Sequence, residues 1–154
     1  MVPPPFQMFL DEHRENVYRF LVASVGPQEA EDCFQETLLA ALRAYPRLNS
    51  TSNLRAWVLT IAHRKAIDCH RARAKRAVPL DEAGERAAAA NGEADDELWR
   101  LVHDLPEKQR AALVLRYAND LTHRDIGRVL GCSEEAARRN VHEGLKRLRE
   151  VWKR

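Results

Sequence analysis

The chain has 154 residues, enough for one ordinary domain or two small ones. It is 45% hydrophobic but only 6% aromatic, and it holds 6 glycines, which argues against wholesale disorder and favours helices over sheets. The net charge of +2 hides two basic blocks, residues 1–76 (11 Lys/Arg, 8 Asp/Glu) and 98–154 (13 and 8), around an acidic stretch, 77–97 (1 and 7). Such blocks fit either a polyanion partner or ordinary solvated helix faces.

Three further features bear on location. No run of 18 apolar residues occurs, so no transmembrane helix and no membrane insertion are expected. The start, Met1 to Phe6, lacks the basic and apolar regions of a secretory signal. Three widely spaced cysteines, Cys33, Cys69 and Cys132, do not form a disulfide framework, so a cytoplasmic protein is expected.

The first block predicts three helices. Apolar residues at helical spacing from Phe6 to Leu21 predict the first, which Gly26-Pro27 ends. The second is expected from about Gln28 to Tyr45, before Pro46. Its predicted inward positions are Ala30, Phe34, Leu38, Ala41, Leu42 and Tyr45. The third begins near Leu54, with an apolar first half and a basic second half, 64–76.

An acidic segment, 78–96, separates the two blocks. It contains Pro79, Gly84, Gly92 and a run of four alanines, and it lacks aromatic residues and a sustained apolar period. This composition predicts a flexible linker.

The second block predicts four shorter helices. The first spans Glu97–Asp104, and Leu105-Pro106 opens the next, which ends near Asn119. Thr122 and Ser133 are the expected N-caps of the last two, and Gly131 is expected to end the third with a positive φ.

The last two helices predict a helix-turn-helix. In that arrangement the first helix braces the second, which lies in the DNA major groove. The polar face of the second helix offers Arg138, Arg139, His142 and Lys146. An ordinary helical hairpin would show a similar pattern of caps and apolar positions.

Three other surfaces have two interpretations each. The basic half of helix three suits a phosphate backbone or a solvated helix end. The loop 49–53 could bind an unstacked base or simply cap helix three. The acidic edge of helix two could dock a protein or only complement the helix dipole. No phosphate-binding loop, nucleophile elbow or zinc-ligand spacing is present, so no enzyme activity, metal or cofactor is expected.

Three stretches together resemble the extracytoplasmic-function class of bacterial RNA polymerase sigma factors. They are Ala30–Thr37, Asn53–Asp68 and Leu105–Arg110 with the helix-turn-helix that follows. The resemblance implies an all-α protein of two small domains: a three-helix sigma region 2 domain (1–77), a flexible acidic linker (78–96) and a four-helix region 4 domain (97–154).

The resemblance also implies roles for individual residues. Asp32, Gln35 and Glu36 would bind core RNA polymerase. The −10 element of promoter DNA would be held by Asn49, Ser52, Asn53, Arg64, Lys65, Arg71 and Arg73. The −35 element would be read by Ser133, Arg138, Arg139, His142 and Lys146. The family implies an anti-sigma protein as a further partner.

Two other functions remain open on the sequence alone. A sigma-like decoy would bind an anti-sigma protein without recognising a promoter, and the acidic residues Glu134 and Glu135 in the recognition helix fit it. A helix-turn-helix repressor would work without polymerase, but it leaves the docking-like helix and basic helix three unexplained.

Overall fold

The computed structural model describes residues 3–48, 53–76 and 93–152, and every regular element in these ranges is helical. The elements are α1 (Phe6–Val25), α2 (Pro27–Ala44), a 3-10 turn (Tyr45–Arg47), α3 (Leu54–Arg76), α4 (Glu93–His103), α5 (Glu107–Tyr117), α6 (His123–Leu130) and α7 (Glu134–Trp152). The all-α prediction is confirmed. Asn49 and Ser52, and the predicted linker up to residue 92, lie outside the described residues.

Local signals explain most of the helix ends. Gly26 has a φ of 87° and separates α1 from α2, which starts at Pro27. The Thr122 hydroxyl accepts a hydrogen bond from the Asp125 amide at 3.1 Å, and the Ser133 hydroxyl accepts one from the Ala136 amide at 3.0 Å. Both predicted N-caps are therefore present.

Helices α1, α2 and α3 pack against one another and form the N-terminal unit. Its core holds Phe20, Leu21, Val58 and Leu59, each at most 1% exposed. Phe9 closes one end of this core, with ring contacts to α1, the 3-10 turn and α3. These rings are Phe6 at 5.7 Å, His13 at 5.0 Å, Tyr45 at 5.2 Å and Trp57 at 5.7 Å.

The inward prediction for Leu42 is wrong. Leu42 is 50% exposed, and the buried positions of α2 are Ala30, Cys33, Thr37 and Ala41. These small side chains let α1 and α3 approach α2 closely, which leaves the larger leucine on the outside. The Thr37 hydroxyl is satisfied by donating to the Cys33 carbonyl at 2.7 Å, so its burial has little cost.

Helices α5, α6 and α7 pack together as the C-terminal unit, with α4 contacting α7. Leu115, Ile126, Val129 and Val141 supply its core. Gly144 lets α7 approach α5, since a Cβ there would lie 2.8 Å from Leu113 Cδ1.

The two units also touch, because α3 packs on α6 and α1 packs on α5. Helix α4 begins at Glu93, four residues before the expected Glu97. None of the helices in the described ranges is long and apolar enough to cross a membrane.

Candidate functional site

One face of α2 carries the predicted docking residues. Asp32, Gln35 and Glu36 are all exposed and lie at helical spacing on this face. Leu39 and Leu42, 51% and 50% exposed, continue the same face by one and two turns. The acidic end is therefore followed by an apolar one, a mixture typical of protein interfaces rather than of nucleic-acid contacts. Neither leucine was predicted to lie on this face: Leu42 was expected to face inward because it is apolar, and Leu39 was assigned to no face.

In the basic half of α3, some cations are exposed to solvent and others are packed against the rest of the protein. Arg64 and Arg71 are exposed and lie seven residues apart, two turns along one face. Lys65 and Arg73 are half-buried, and Arg73 Nε lies 3.9 Å from the Glu29 carboxylate on α2. Arg64 and Arg71 are therefore better placed for a phosphate than Arg73, whose charge is partly neutralised.

Asn53 lies in the turn before α3, and both the oxygen and the nitrogen of its side-chain amide form hydrogen bonds. Its φ is 57°, a left-handed conformation that asparagine tolerates better than most residues. Its Oδ1 accepts from the Ala56 amide at 3.1 Å, which makes it a helix cap. Its Nδ2 donates to the Asp125 carboxylate on α6.

The predicted recognition helix, α7, presents its cations to solvent. Arg138, Arg139, His142 and Lys146 are all exposed, whereas Ala137, Val141 and Gly144 of the same helix are buried. Arg138 Nη2 lies 3.0 Å from the Glu134 carboxylate, so this acid holds the guanidinium close to the start of the helix. Ser133 is engaged as the N-cap. The structure thus places four of the five predicted −35 residues on α7 and the fifth, Ser133, at its N-cap.

Polar residues at the contact between the two units were not predicted. The Arg55 guanidinium donates to the Asn119 carbonyl at 3.3 Å, and Asn119 Nδ2 donates to the Asn16 carbonyl at 2.8 Å. An open cleft runs along this contact, lined by His13, Asn53 and Asp125 among others. The partners are 64 and 103 residues apart in sequence, so no local pattern pointed to them.

Burial keeps three histidines uncharged. It lowers the pKa of His13 on α1 and of His63 and His70 on α3, although Glu107 on α5 partly opposes the shift at His63 and His70. At neutral pH these side chains are neutral, so the positive charge of α3 comes from its arginines and lysines.

Two cysteines meet where α2 packs on α3. The Cys69 thiol donates to the Glu29 carboxylate at 3.4 Å, and burial raises the pKa of the Cys33 thiol. Burial, with the neighbouring Cys33 and Glu29, raises the pKa of Cys69 to about 12. Both thiols are therefore protonated and weakly nucleophilic. No cluster of three or more His, Cys, Asp or Glu in the described ranges could hold a metal ion.

Comparison with known families matches both parts of the chain. Residues 9–76 match the family described as Sigma-70 region 2, and residues 95–148 match Sigma-70, region 4. The first match runs from the fourth residue of α1 to the end of α3, and the second runs from the third residue of α4 through α5 and α6 to Leu148 in α7. Together the two matches cover most of the described chain.

Among characterised proteins, similar sequences carry sigma-factor names. The ECF RNA polymerase sigma factor ShbA of Streptomyces griseus is 39% identical over 134 residues, covering 79% of this chain and 70% of that protein. The ECF RNA polymerase sigma factor SigD of Mycobacterium tuberculosis is 33% identical over 156 residues, covering 92% and 74%.

Solved structures share the fold at lower identity. The sigma factor RpoE of Bartonella quintana, solved with the anti-sigma factor NepR, superposes with a TM-score of 0.82 at 22% identity, covering 96% of each chain. CnrH, solved with the cytosolic domain of CnrY, gives a TM-score of 0.74 at 20% identity, covering 96% of this chain and 87% of that one.

Proposed function

The chain belongs to the sigma-70 family, in the extracytoplasmic-function class of RNA polymerase sigma factors that direct promoter-specific transcription initiation, and from this premise we propose which of its surfaces performs each step. Sigma factors are regulatory initiation factors, so we assign the chemistry of RNA synthesis to the polymerase and none to this chain. The proposed location is the cytoplasm, where polymerase and promoter DNA are found.

The proposed division follows the two helical units. Residues 1–77 form the domain that binds core polymerase and the −10 element, and residues 97–154 form the domain that reads the −35 element. Residues 78–96 connect them, with the last four already in α4. The exposed cations on α3 and α7, which belong to different units, support a protein that holds promoter DNA at two places.

The observation that carries the proposal is the segregation of charge onto three separate helix faces. The α2 face is acidic and apolar, whereas the exposed side chains of α3 and of α7 include more cations than acids. Acids would repel phosphates, so α2 is proposed to bind the polymerase. The two basic faces are proposed to bind the −10 and −35 elements, with Arg64 and Arg71 as phosphate contacts on α3.

An anti-sigma protein is proposed as a regulatory partner. RpoE, which shares the fold, was solved in complex with the anti-sigma factor NepR, and CnrH was solved in complex with the cytosolic domain of CnrY. The exposed leucines of α2 give this chain an apolar surface that is available when it is not bound to polymerase.

Run-off transcription tests the proposal directly. Sigma-free core polymerase is incubated with fragmented DNA of the source organism, with and without the protein. Discrete new transcripts are expected, and their start regions should share two spaced elements. Binding to an anti-sigma protein without transcripts or core binding would instead identify a decoy.

The docking face is tested by removing two exposed side chains. Asp32→Ala with Gln35→Ala should weaken binding to core polymerase without lowering the melting temperature, because neither side chain is buried. Gln7→Ala with Asp11→Ala is a matched control, since it removes the same two residue types from exposed positions on α1. Equal core affinity in both double variants would reject α2 as the docking helix.

The recognition helix is tested at Arg138. Arg138→Ala should weaken binding to a −35 duplex by about 1–3 kcal/mol if the guanidinium reads a base. Arg149→Ala removes the same charge from an exposed position near the end of α7 and should change affinity little. Equal losses with Arg138→Ala on every duplex sequence would make this residue a phosphate contact instead.

A further inference from the structure

The start of the proposed recognition helix contains an ion pair that involves one of the proposed −35 residues. Arg138 Nη2 donates to Glu134 Oε2 at 3.0 Å, and the two side chains, 54% and 49% exposed, lie one helical turn apart on the same face of α7. An exposed pair of this kind contributes little to the stability of a protein. Its main consequence is therefore the orientation that it gives to the guanidinium.

The neighbouring acid and arginine of α7 are not paired in this way. Glu135 and Arg139 have the same spacing as Glu134 and Arg138 and are also exposed, yet among the described residues no ion pair joins them. Arginine has several N–H donors, and the bond to Glu134 uses only one of those of Arg138. The remaining donors suffice for a bidentate contact with O6 and N7 of guanine.

The pair also lies close to the first residue of α6, His123. Burial, followed by the charges of Arg116 and Arg138, lowers the pKa of His123, and Glu134 partly opposes this shift. In a helix-turn-helix the first helix crosses the DNA backbone, while the first residues of the second helix contact base edges. A guanidinium at this position has both phosphates and bases within its reach, and phosphates attract it regardless of sequence.

We infer that Glu134 is a positioning residue for recognition of the −35 element, which holds Arg138 against a guanine base edge and away from the phosphates. This inference rests on the proposed reading of the −35 element by α7. Glu134 acts through Arg138 and not by contacting a base. Its charge repels phosphates, so it lowers affinity for DNA of any sequence while it increases the difference in affinity between sequences.

Selection from a random-sequence duplex pool tests this role. The full-length chain should enrich duplexes with guanine at one position, and Arg138→Ala should lose that preference. Glu134→Ala should reduce the preference at the same position about tenfold, within the range expected for a bidentate arginine–guanine contact. Its affinity for the unselected pool should stay equal or rise. Glu135→Ala is the matched control, because it removes the same charge from the same exposed turn and should keep the guanine preference.

A second variant covers a disturbed helix start in Glu134→Ala. Glu134→Gln keeps an oxygen that can accept from Arg138, so it should retain more of the guanine preference than Glu134→Ala does. Equal losses in Glu134→Ala and Glu135→Ala, or a loss at a position that Arg138→Ala leaves unchanged, would reject the positioning role. If the unmodified chain enriches no sequence, the proposed −35 reading fails and the positioning role fails with it. Enrichment that Glu134→Ala fully retains rejects the positioning role alone.

Discussion

Phe9→Ala should lower the free energy of unfolding by about 3–5 kcal/mol, the range observed when a buried phenylalanine is truncated. Phe9 is 1% exposed, and its ring contacts Phe6, His13, Tyr45 and Trp57. Alanine would leave a cavity, and α1, the 3-10 turn and α3 would all have to move to fill it. Small domains are stable by only about 5–15 kcal/mol, so this loss is a large fraction of the total.

The same substitution should also affect the start of α3, the segment proposed to bind the −10 element. Trp57 lies in the first turn of α3, one turn after Asn53, and its ring centroid is 5.7 Å from that of Phe9. Loss of this contact should loosen the start of α3 and weaken single-stranded DNA binding even where the protein remains folded. Urea unfolding and DNA titration measure the two effects.

Tyr18→Ala is the matched control for Phe9. It truncates an aromatic side chain on the same helix, but Tyr18 is 37% exposed and its closest aromatic partner, Phe34, lies 5.5 Å away on α2. We expect a smaller loss of stability and unchanged DNA binding. Equal losses in the two variants would show that the ring cluster around Phe9 does not support α3.

The helix ends were predictable because their signals are local. Gly26-Pro27, Thr122, Gly131 and Ser133 act through conformations or hydrogen bonds within a few residues. The start of α4 was missed because the acids before Glu97 were interpreted as linker composition. Acidic residues also stabilise the first turn of a helix. The acids that were interpreted as linker therefore belong to the start of α4, which begins at Glu93.

Which face of a helix is buried was harder to predict. Apolarity suggested that Leu42 faces inward, but α2 buries Ala30, Cys33, Thr37 and Ala41 instead. Close helix packing favours small side chains, and a sequence does not reveal how near the neighbouring helices come. The two exposed leucines belong to the face of α2 that is proposed to bind polymerase.

The contact between the units could not be predicted at all. Asn53, Arg55 and Asn119 are polar residues of loops and helix ends, where sequence patterns indicate capping and nothing more. Their partners are 64 to 103 residues away, and no periodicity connects them. For Asn53 the capping interpretation is confirmed, since Oδ1 accepts from the Ala56 amide, while Nδ2 donates to the Asp125 carboxylate.

Gly127→Ala should disrupt the helix-turn-helix, with a loss of about 3 kcal/mol, the upper end of the usual cost of overpacking. A Cβ at Gly127 would lie 2.6 Å from the Cys132 carbonyl oxygen and 3.2 Å from the Ser133 carbonyl carbon. These are backbone atoms of the turn that connects α6 to α7, and the Cys132 amide also donates to the Gly127 carbonyl at 2.9 Å. The turn cannot shift to make room for this Cβ without moving the start of α7.

The functional consequence follows from that movement. Ser133 caps α7, and Arg138 lies little more than one turn further along, so a displaced turn would shift the proposed −35 contacts away from the base edges. Gly127→Ala should therefore abolish binding to a −35 duplex, while α1 to α3 keep their hydrogen-exchange protection. Gly131→Ala is the control, because its φ of 72° costs about 1–2 kcal/mol but its Cβ would meet nothing within 4 Å. If Gly127→Ala bound the duplex as well as Gly131→Ala does, close approach at Gly127 would not be what positions α7.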